Sequence, residues 1–310
     1  MSELPLSVVI CTYNRADLIG KALEDLTHQT LEKSQFEVIV VDNKSTDNTA
    51  EVVRTFEQQY PYIRYVYEPN AGRSNARNRG WREAAGFYVA YLDDDVRVCP
   101  DWAVSMLGAL RHASRPLAVG GLVEPWYEST PPAWFVRDFE LRSWGKEAGY
   151  VSAKQAPFGF AGGNMGIARS RLEEYGGFSP ELGGDSTGMP RMGEETDLFF
   201  RIYQDNKDKA DKIFWFEPEA AIKHWTPARN WQIPYRLERA RASGAARAWM
   251  MQIKPFSLAY WRVMAFGIKA TFRLLRDLVS HKNPAKTEWI KYRQTLSYLK
   301  GIHQESTAVR

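Results

Sequence analysis

Five short apolar runs, Leu6–Cys11, Phe36–Val41, Ile63–Tyr67, Phe87–Leu92 and Leu117–Val123, punctuate the first 125 residues of the chain. Each is rich in Val, Ile, Phe or Tyr and has strand length. Helical patterns separate most of them, over Asp17–Thr27, Asn48–Gln59, Ser74–Ala85 and Asp101–Ala113. Gly72 precedes the third pattern and Pro100-Asp101 opens the fourth, a good helix-start signal. Buried strands alternating with helices predict an α/β fold: a Rossmann-like, mainly parallel sheet with flanking helices.

The polar residues fall where such a sheet binds ligands, outside the carboxyl ends of its strands. The first strand ends in Thr12-Tyr13-Asn14-Arg15, the second in Asp42-Asn43, the third in Glu68-Pro69-Asn70-Ala71-Gly72-Arg73 and the fourth in Asp93-Asp94-Asp95. Three adjacent carboxylates repel one another and need a cation or strong hydrogen bonds to ionise together. A hard divalent ion such as Mg²⁺ takes one or two carboxylates plus the phosphates of a substrate, so Asp93–Asp95 predict a metal-held diphosphate rather than a solvated acidic turn. Asp42 could accept the imide N–H of a uracil. Arg73 and Arg77, at the next helix start, could neutralise phosphates with that helix end.

From 124 to 190 the chain is rich in Trp, Pro and Gly and reads as long loops with a few short strands, a composition typical of functional loops. A helix is expected from Glu194 to Gln204, followed by a last strand at Ala220–His224 and a break at Pro227. Glu194 and Glu195 form an acid pair, so one carboxyl can be raised towards neutrality; in a purely structural role both would complement the helix dipole. His224, at a strand end, offers an imidazole to a metal. Trp126, Trp134, Phe158, Phe160 and Trp225 could stack on sugar rings or fill the core.

Several of these segments together resemble the family 2 glycosyltransferases. They are Ser7–Arg15, Val40-Val41-Asp42-Asn43, Ala76-Arg77-Asn78-Arg79-Gly80, Leu92–Asp95, Gly162-Gly163-Asn164-Met165 and Gly193–Leu198. The resemblance covers about residues 5–226. It implies a GT-A fold, with a nucleotide-sugar-binding half over 1–123 and an acceptor-binding half over 124–226. It also implies transfer of a sugar from a nucleotide-sugar donor, here a UDP-sugar, to a hydroxyl of a glycan or lipid-linked acceptor, with inversion and a divalent metal (Mn²⁺ or Mg²⁺). Thr12, Tyr13, Asn14, Arg15, Asp42, Asn43, Arg73, Arg77 and Asp93 would serve the donor, and Asp94 the ribose. Asp95, with Asp93 and His224, would hold the metal. Gly162, Gly163, Asn164 and Trp225 would face the acceptor. The base falls on Glu195, where the family has Asp; Asp197 is the alternative. A non-catalytic nucleotide- or glycan-binding subunit would not need these acids. A sugar-1-phosphate nucleotidyltransferase would need a Gly-rich phosphate loop in place of Thr12-Tyr13-Asn14-Arg15.

Charge separates the remainder. Residues 1–226 hold 25 Lys and Arg against 33 Asp and Glu, whereas residues 227–310 hold 16 against 4. The tail is helical by pattern. Over Lys254–Ser280 one helix face carries Arg262, Lys269, Arg273 and Arg276, and another Trp261, Met264, Ile268, Phe272, Leu275 and Val279. Such a helix can lie on an anionic membrane surface or pack on the catalytic domain. No nucleic-acid motif is present. Two cysteines exclude a disulfide framework and favour a reducing compartment. With no signal-peptide pattern and no long apolar stretch, a cytoplasmic protein, peripheral on the inner membrane face, is expected.

Overall fold

The structure is a computed structural model that describes residues 4–152, 159–183, 193–280 and 285–308. In their described residues, Met1–Trp126, Glu140–Gly188 and Glu194–Trp225 form one compact unit, and Tyr127–Phe139, Met189–Gly193 and Thr226–Arg310 a second.

The first unit is built on strands β1 (Leu6–Thr12), β2 (Phe36–Asp42), β3 (Ile63–Tyr67), β4 (Tyr88–Asp93), β5 (Val96–Val98), β6 (Ala118–Tyr127), β7 (Gly149–Val151), β8 (Asn164–Ala168) and β9 (Phe214–Thr226). The sheet order is β3-β2-β1-β4-β8-β6-β9-β5, with β7 also on β9. β1, β2, β3 and β4 pair in parallel, and β8 enters antiparallel between β4 and β6. β6 therefore runs the same way as β4, as the strand-and-helix alternation requires. The inner strand β8 lies in the stretch expected to be mostly loop, because its apolar signal is only Met165, Ile167 and Ala168.

Helices cover both faces, which explains why the inner strands read as continuous apolar runs. Val8 and Ile10 of β1 pack with Leu23 of α1 (Ile19–Thr27), Val53 of α2 (Thr49–Gln59) and Met106 of α4 (Trp102–Leu110). Val9 points the other way, into a core with Ala76 of α3 (Arg73–Glu83), Leu172 of α5 (Arg169–Glu174) and Phe199 of α6 (Glu194–Asp205). Gly80 lets α3 lie close on β1, since a Cβ there would sit 2.2 Å from Val9 Cγ1.

The second unit contains α7 (Ile233–Met250), α8 (Leu258–Ser280) and α9 (Ala285–Thr307). α7 and α9 meet backbone to backbone: a Cβ on Gly244 would lie 1.9 Å from the Tyr298 carbonyl, and one on Gly301 1.9 Å from the Arg241 carbonyl. The Arg236 guanidinium lies 4.1 Å above the Phe139 ring and 5.0 Å above Phe135. Trp134, Phe135, Phe139 and Ile290 form a buried cluster beside it. Among the described residues no helix is long and apolar enough to cross a membrane.

Gly301→Ala should lower stability by about 1–3 kcal/mol, because overpacking against a fixed carbonyl outweighs the helix-propensity gain of about 1 kcal/mol; thermal unfolding measures it.

Candidate active site

The parallel register aligns the polar strand ends. Thr12 pairs with Asp42, and Cys11 with Asp93. Asp42 is buried and receives hydrogen bonds from the Ser45 N–H (2.8 Å) and the Tyr65 hydroxyl (2.8 Å). Asn43 ties the neighbouring loops together, donating to the Glu68 and Asn70 carbonyls and accepting from Gly72 N–H at 2.8 Å. Asn14 adopts a positive φ of 51°, and its side-chain oxygen accepts the Thr46 N–H. Asn14 and Asn43 thus tie together the loops at this edge of the sheet. Thr12 is buried and Tyr13 is exposed at the same edge.

At the end of β4 the three aspartates diverge. Arg15 lies 3.6 Å from both Asp94 and Asp95. Pairing of β5 with β9 sets Val96 opposite His224 and so brings the imidazole to the aspartates. His224 Nε2 is 3.4 Å from Asp93 Oδ2 and 3.3 Å from Asp95 Oδ1, and its Nδ1 contacts the Trp225 carbonyl at 3.0 Å. One donor atom from each of Asp93, Asp95 and His224 lies within 4.8 Å of the others. Two hard oxygens and one imidazole nitrogen, this close and partly accessible, suit Mn²⁺ or Mg²⁺ with substrate oxygens completing the shell. Burial, then the charge on Asp95, push the Asp94 carboxyl up to about 7. Burial would lower His224, but the Asp93 hydrogen bond and both carboxylate charges outweigh it and raise the imidazole to about 9.

The second acid cluster opens α6. Arg77, expected against phosphates, is instead 4% exposed and sits between the two clusters. Its Nη1 is 2.7 Å from Glu194 Oε1 and 3.6 Å from Glu195 Oε2, and its Nη2 is 3.8 Å from Asp93 Oδ1. Glu194 is almost wholly buried and also pairs with Arg73 at 3.4 Å. Burial opposes its ionisation, but the Arg77 and Arg73 charges win and hold its carboxyl low. Glu195 goes the other way: burial, then the Glu194 charge, push it up to about 7. Its side chain keeps 23% accessibility. Two adjacent acids with pKa values driven apart mark one as a fixed counter-ion and the other as an exchangeable proton carrier. Asp197 is held by Arg201 (2.8 Å), which also bonds the Tyr175 and Gly177 carbonyls.

Gly162 and Gly163 permit the close approach of their loop to the clusters. A Cβ on Gly162 would lie 2.4 Å from Arg77 Nη2, and one on Gly163 2.0 Å from Asp93 Oδ2. Asn164, expected to face the acceptor, is spent inside the sheet: its amide donates to the Leu122 and Ala220 carbonyls and accepts from the Trp102 indole. Trp134 and Phe160 are core residues, whereas Trp126 and Trp225 pack edge to face with centroids 4.8 Å apart. Phe158 lies outside the described residues. Sequence reasoning missed Tyr65 and Ser45, the partners of Asp42; no local pattern marks them, since the contacts depend on neighbouring chain segments.

Solved structures share this architecture. The mannosyltransferase PcManGT from Pyrobaculum calidifontis, solved in complex with GDP-Man and Mn²⁺, superposes with a TM-score of 0.64 at 18% identity, covering 94% of this chain and 85% of that one. S. aureus TarS 1–349, in complex with UDP-GlcNAc, gives 0.53 at 16% identity, covering 95% and 91%. Sheet and helices together have the GT-A fold. The family model for "Glycosyl transferase family 2" matches residues 7–176. Glycosyltransferase AglE of Haloferax volcanii is 38% identical over 285 residues, 89% of this chain and 86% of that one. The chain belongs to glycosyl transferase family 2. Several other curated relatives match over shorter stretches, spanning about a quarter of their own length.

Replacing Arg77 by Met should destabilise the protein by about 3–5 kcal/mol, since it strands the buried Glu194 charge; urea denaturation at pH 8 reads it, and the loss should shrink in Arg77→Met/Glu194→Gln.

Proposed function

We propose that this glycosyltransferase transfers a sugar from a nucleoside-diphosphate donor, preferentially a UDP-sugar, to a hydroxyl of a glycan or lipid-linked acceptor, with inversion. The separated acid pair Glu194 and Glu195 carries the reading. Inversion needs one base on the face opposite the leaving group. Glu195 takes the acceptor hydroxyl proton as that oxygen bonds to the anomeric carbon and the carbon–oxygen bond to the diphosphate breaks. The departing nucleoside diphosphate keeps the electron pair. Glu194 stays ionised against Arg77 and holds the start of α6 in place.

Asp42 accepts the base imide N–H, and Asp94 faces the ribose. Asp93, Asp95 and His224 would hold a divalent cation, whose charge would stabilise the leaving diphosphate. Arg15 and the accessible Arg73 add positive charge around it. Trp225, packed edge to face with Trp126, offers an apolar wall to the acceptor side. The basic second unit supports a peripheral position on the cytoplasmic face of an anionic membrane, where a lipid-linked acceptor would be met.

Glu195→Gln should lower turnover by about 10²–10⁴-fold while leaving donor affinity nearly unchanged. In the wild type, turnover should rise with pH and level off above about 7, the value to which Glu195 is raised. Unchanged turnover in the variant would transfer the base role to Asp197. Calorimetry with UDP, GDP and dTDP, with and without Mn²⁺, tests the donor. UDP should bind tightest and only with metal, and Asp95→Asn should abolish the metal-dependent part. Equal, metal-independent binding of all three would overturn both assignments.

A further inference from the structure

Helix α8 exposes a seam with the spacing of a coiled coil. Leu258, Trp261, Ala265, Ile268, Phe272 and Leu275 follow one another at +3, +4, +3, +4 and +3, and none is charged. Apart from Ala265, each is between 55% and 69% exposed. The helix packs within its own unit through a different face. Tyr260 and Val263 are buried there, and Met264, which the sequence groups with the apolar stripe, joins their cluster instead. Gly267 lies against α9, where a Cβ would sit 3.0 Å from Leu299 Cδ1. Lys269 and Arg273 line the groove that α8 forms with α7 and α9, away from the seam.

The period of the seam says what covers it. A straight α-helix drifts by about 20° per heptad against a 3.5-residue repeat, so a strict heptad stays in one line only when helices supercoil around each other. A lipid surface makes no such demand, and the apolar face of an interfacial helix is broader than an a/d stripe. The seam exposes on the order of 600 Å² of apolar surface, as much as the largest patch on an ordinary monomer and near the ~800 Å² that each partner gives to a standard interface. The flanks decide which helix fits. One flank carries Arg262, Lys269 and Arg276, the other Met264, Thr271 and Leu278. In a parallel pair of identical helices, each flank meets the opposite flank of its partner, so cationic rows meet uncharged ones. An antiparallel pair would set the two cationic rows against each other. Trp261 is already placed for such a contact. The Phe256 and Tyr260 rings lie 6.2 Å and 5.2 Å from its own, so its burial costs little side-chain freedom.

We propose that a second copy of this chain covers the seam, with α8 pairing in parallel with its counterpart as a two-stranded coiled coil about a two-fold axis. The dimer stands independently of the membrane position and of the transfer chemistry proposed above.

Sedimentation equilibrium of the full-length protein at about 10 μM should give twice the 35.5 kDa chain mass. Ile268→Glu/Leu275→Glu places charge in the seam and should raise the dimer Kd at least about 100-fold. Phe266→Glu, the same kind of change at an exposed position of α8 off the seam, should leave the dimer intact. Far-UV circular dichroism checks that both variants keep their helices. Orientation is read separately. Leu258→Cys and Leu275→Cys, each alone, should form an inter-chain disulfide on mild oxidation above the wild-type level, because the parallel register sets each residue beside its own copy. Cross-linking only when the two variants are mixed means an antiparallel pair and overturns the proposal. A monomeric wild type overturns it, and so does a dimer that Ile268→Glu/Leu275→Glu leaves intact. A monomer that floats on phosphatidylglycerol vesicles, and stops floating in the seam variant, assigns the seam to a membrane instead.

Discussion

Arg77 is the contact on which the site depends. A guanidinium this deeply buried is tolerable only with its charge matched, and Glu194 and Asp93 match it from two sides. The fork geometry matters: one amino group faces Glu194 and the other faces Asp93, a division that a lysine ammonium could not make. The backbone around it is pinned to receive it. Tyr91 donates its hydroxyl proton to the Arg77 carbonyl (3.2 Å), and Asn78 bonds both the N–H and the carbonyl of Phe178. One ion-pair network thereby ties the aspartates at the end of β4 to the start of α6.

That network gives each carboxylate a different character. Glu194 and Asp93 are held ionised by cationic neighbours, while partial burial and a neighbouring like charge push Glu195 and Asp94 up to about 7. Chemically identical groups, one residue apart in each cluster, acquire opposite protonation preferences through placement alone. The inverting transfer proposed above would use this asymmetry, with Glu195 as the proton acceptor beside the fixed charge of Glu194.

The second unit solves a different problem. Its helices α7 and α9 approach through Gly244 and Gly301, which lets two strongly basic helices pack by backbone contact rather than by interdigitating long cationic side chains. α8 then buries only part of its surface, including Tyr260 and Val263, and leaves the stripe from Trp261 to Val279 in solvent. The amphipathic pattern of the sequence thus persists on the folded surface instead of disappearing into the core.

The sequence by itself determined the α/β alternation, the parallel strands and the polar edge, because strand and helix periodicity and strand-end chemistry are local properties of the chain. It marked Asp93–Asp95, Glu194, Glu195 and His224 as chemistry for the same reason. The tertiary structure alone decided which of them meet. Pairing of β5 with β9 carries His224 to aspartates about 130 residues away in the chain. The packing of α3 and α6 brings Arg77 to Glu194. Those approaches depend on register and close packing between distant segments, and no spacing rule along the chain encodes them. The same holds for Asn164, whose motif pointed to an acceptor loop but whose amide closes hydrogen bonds inside the sheet. A polar residue's purpose is set by the partners that long-range packing supplies.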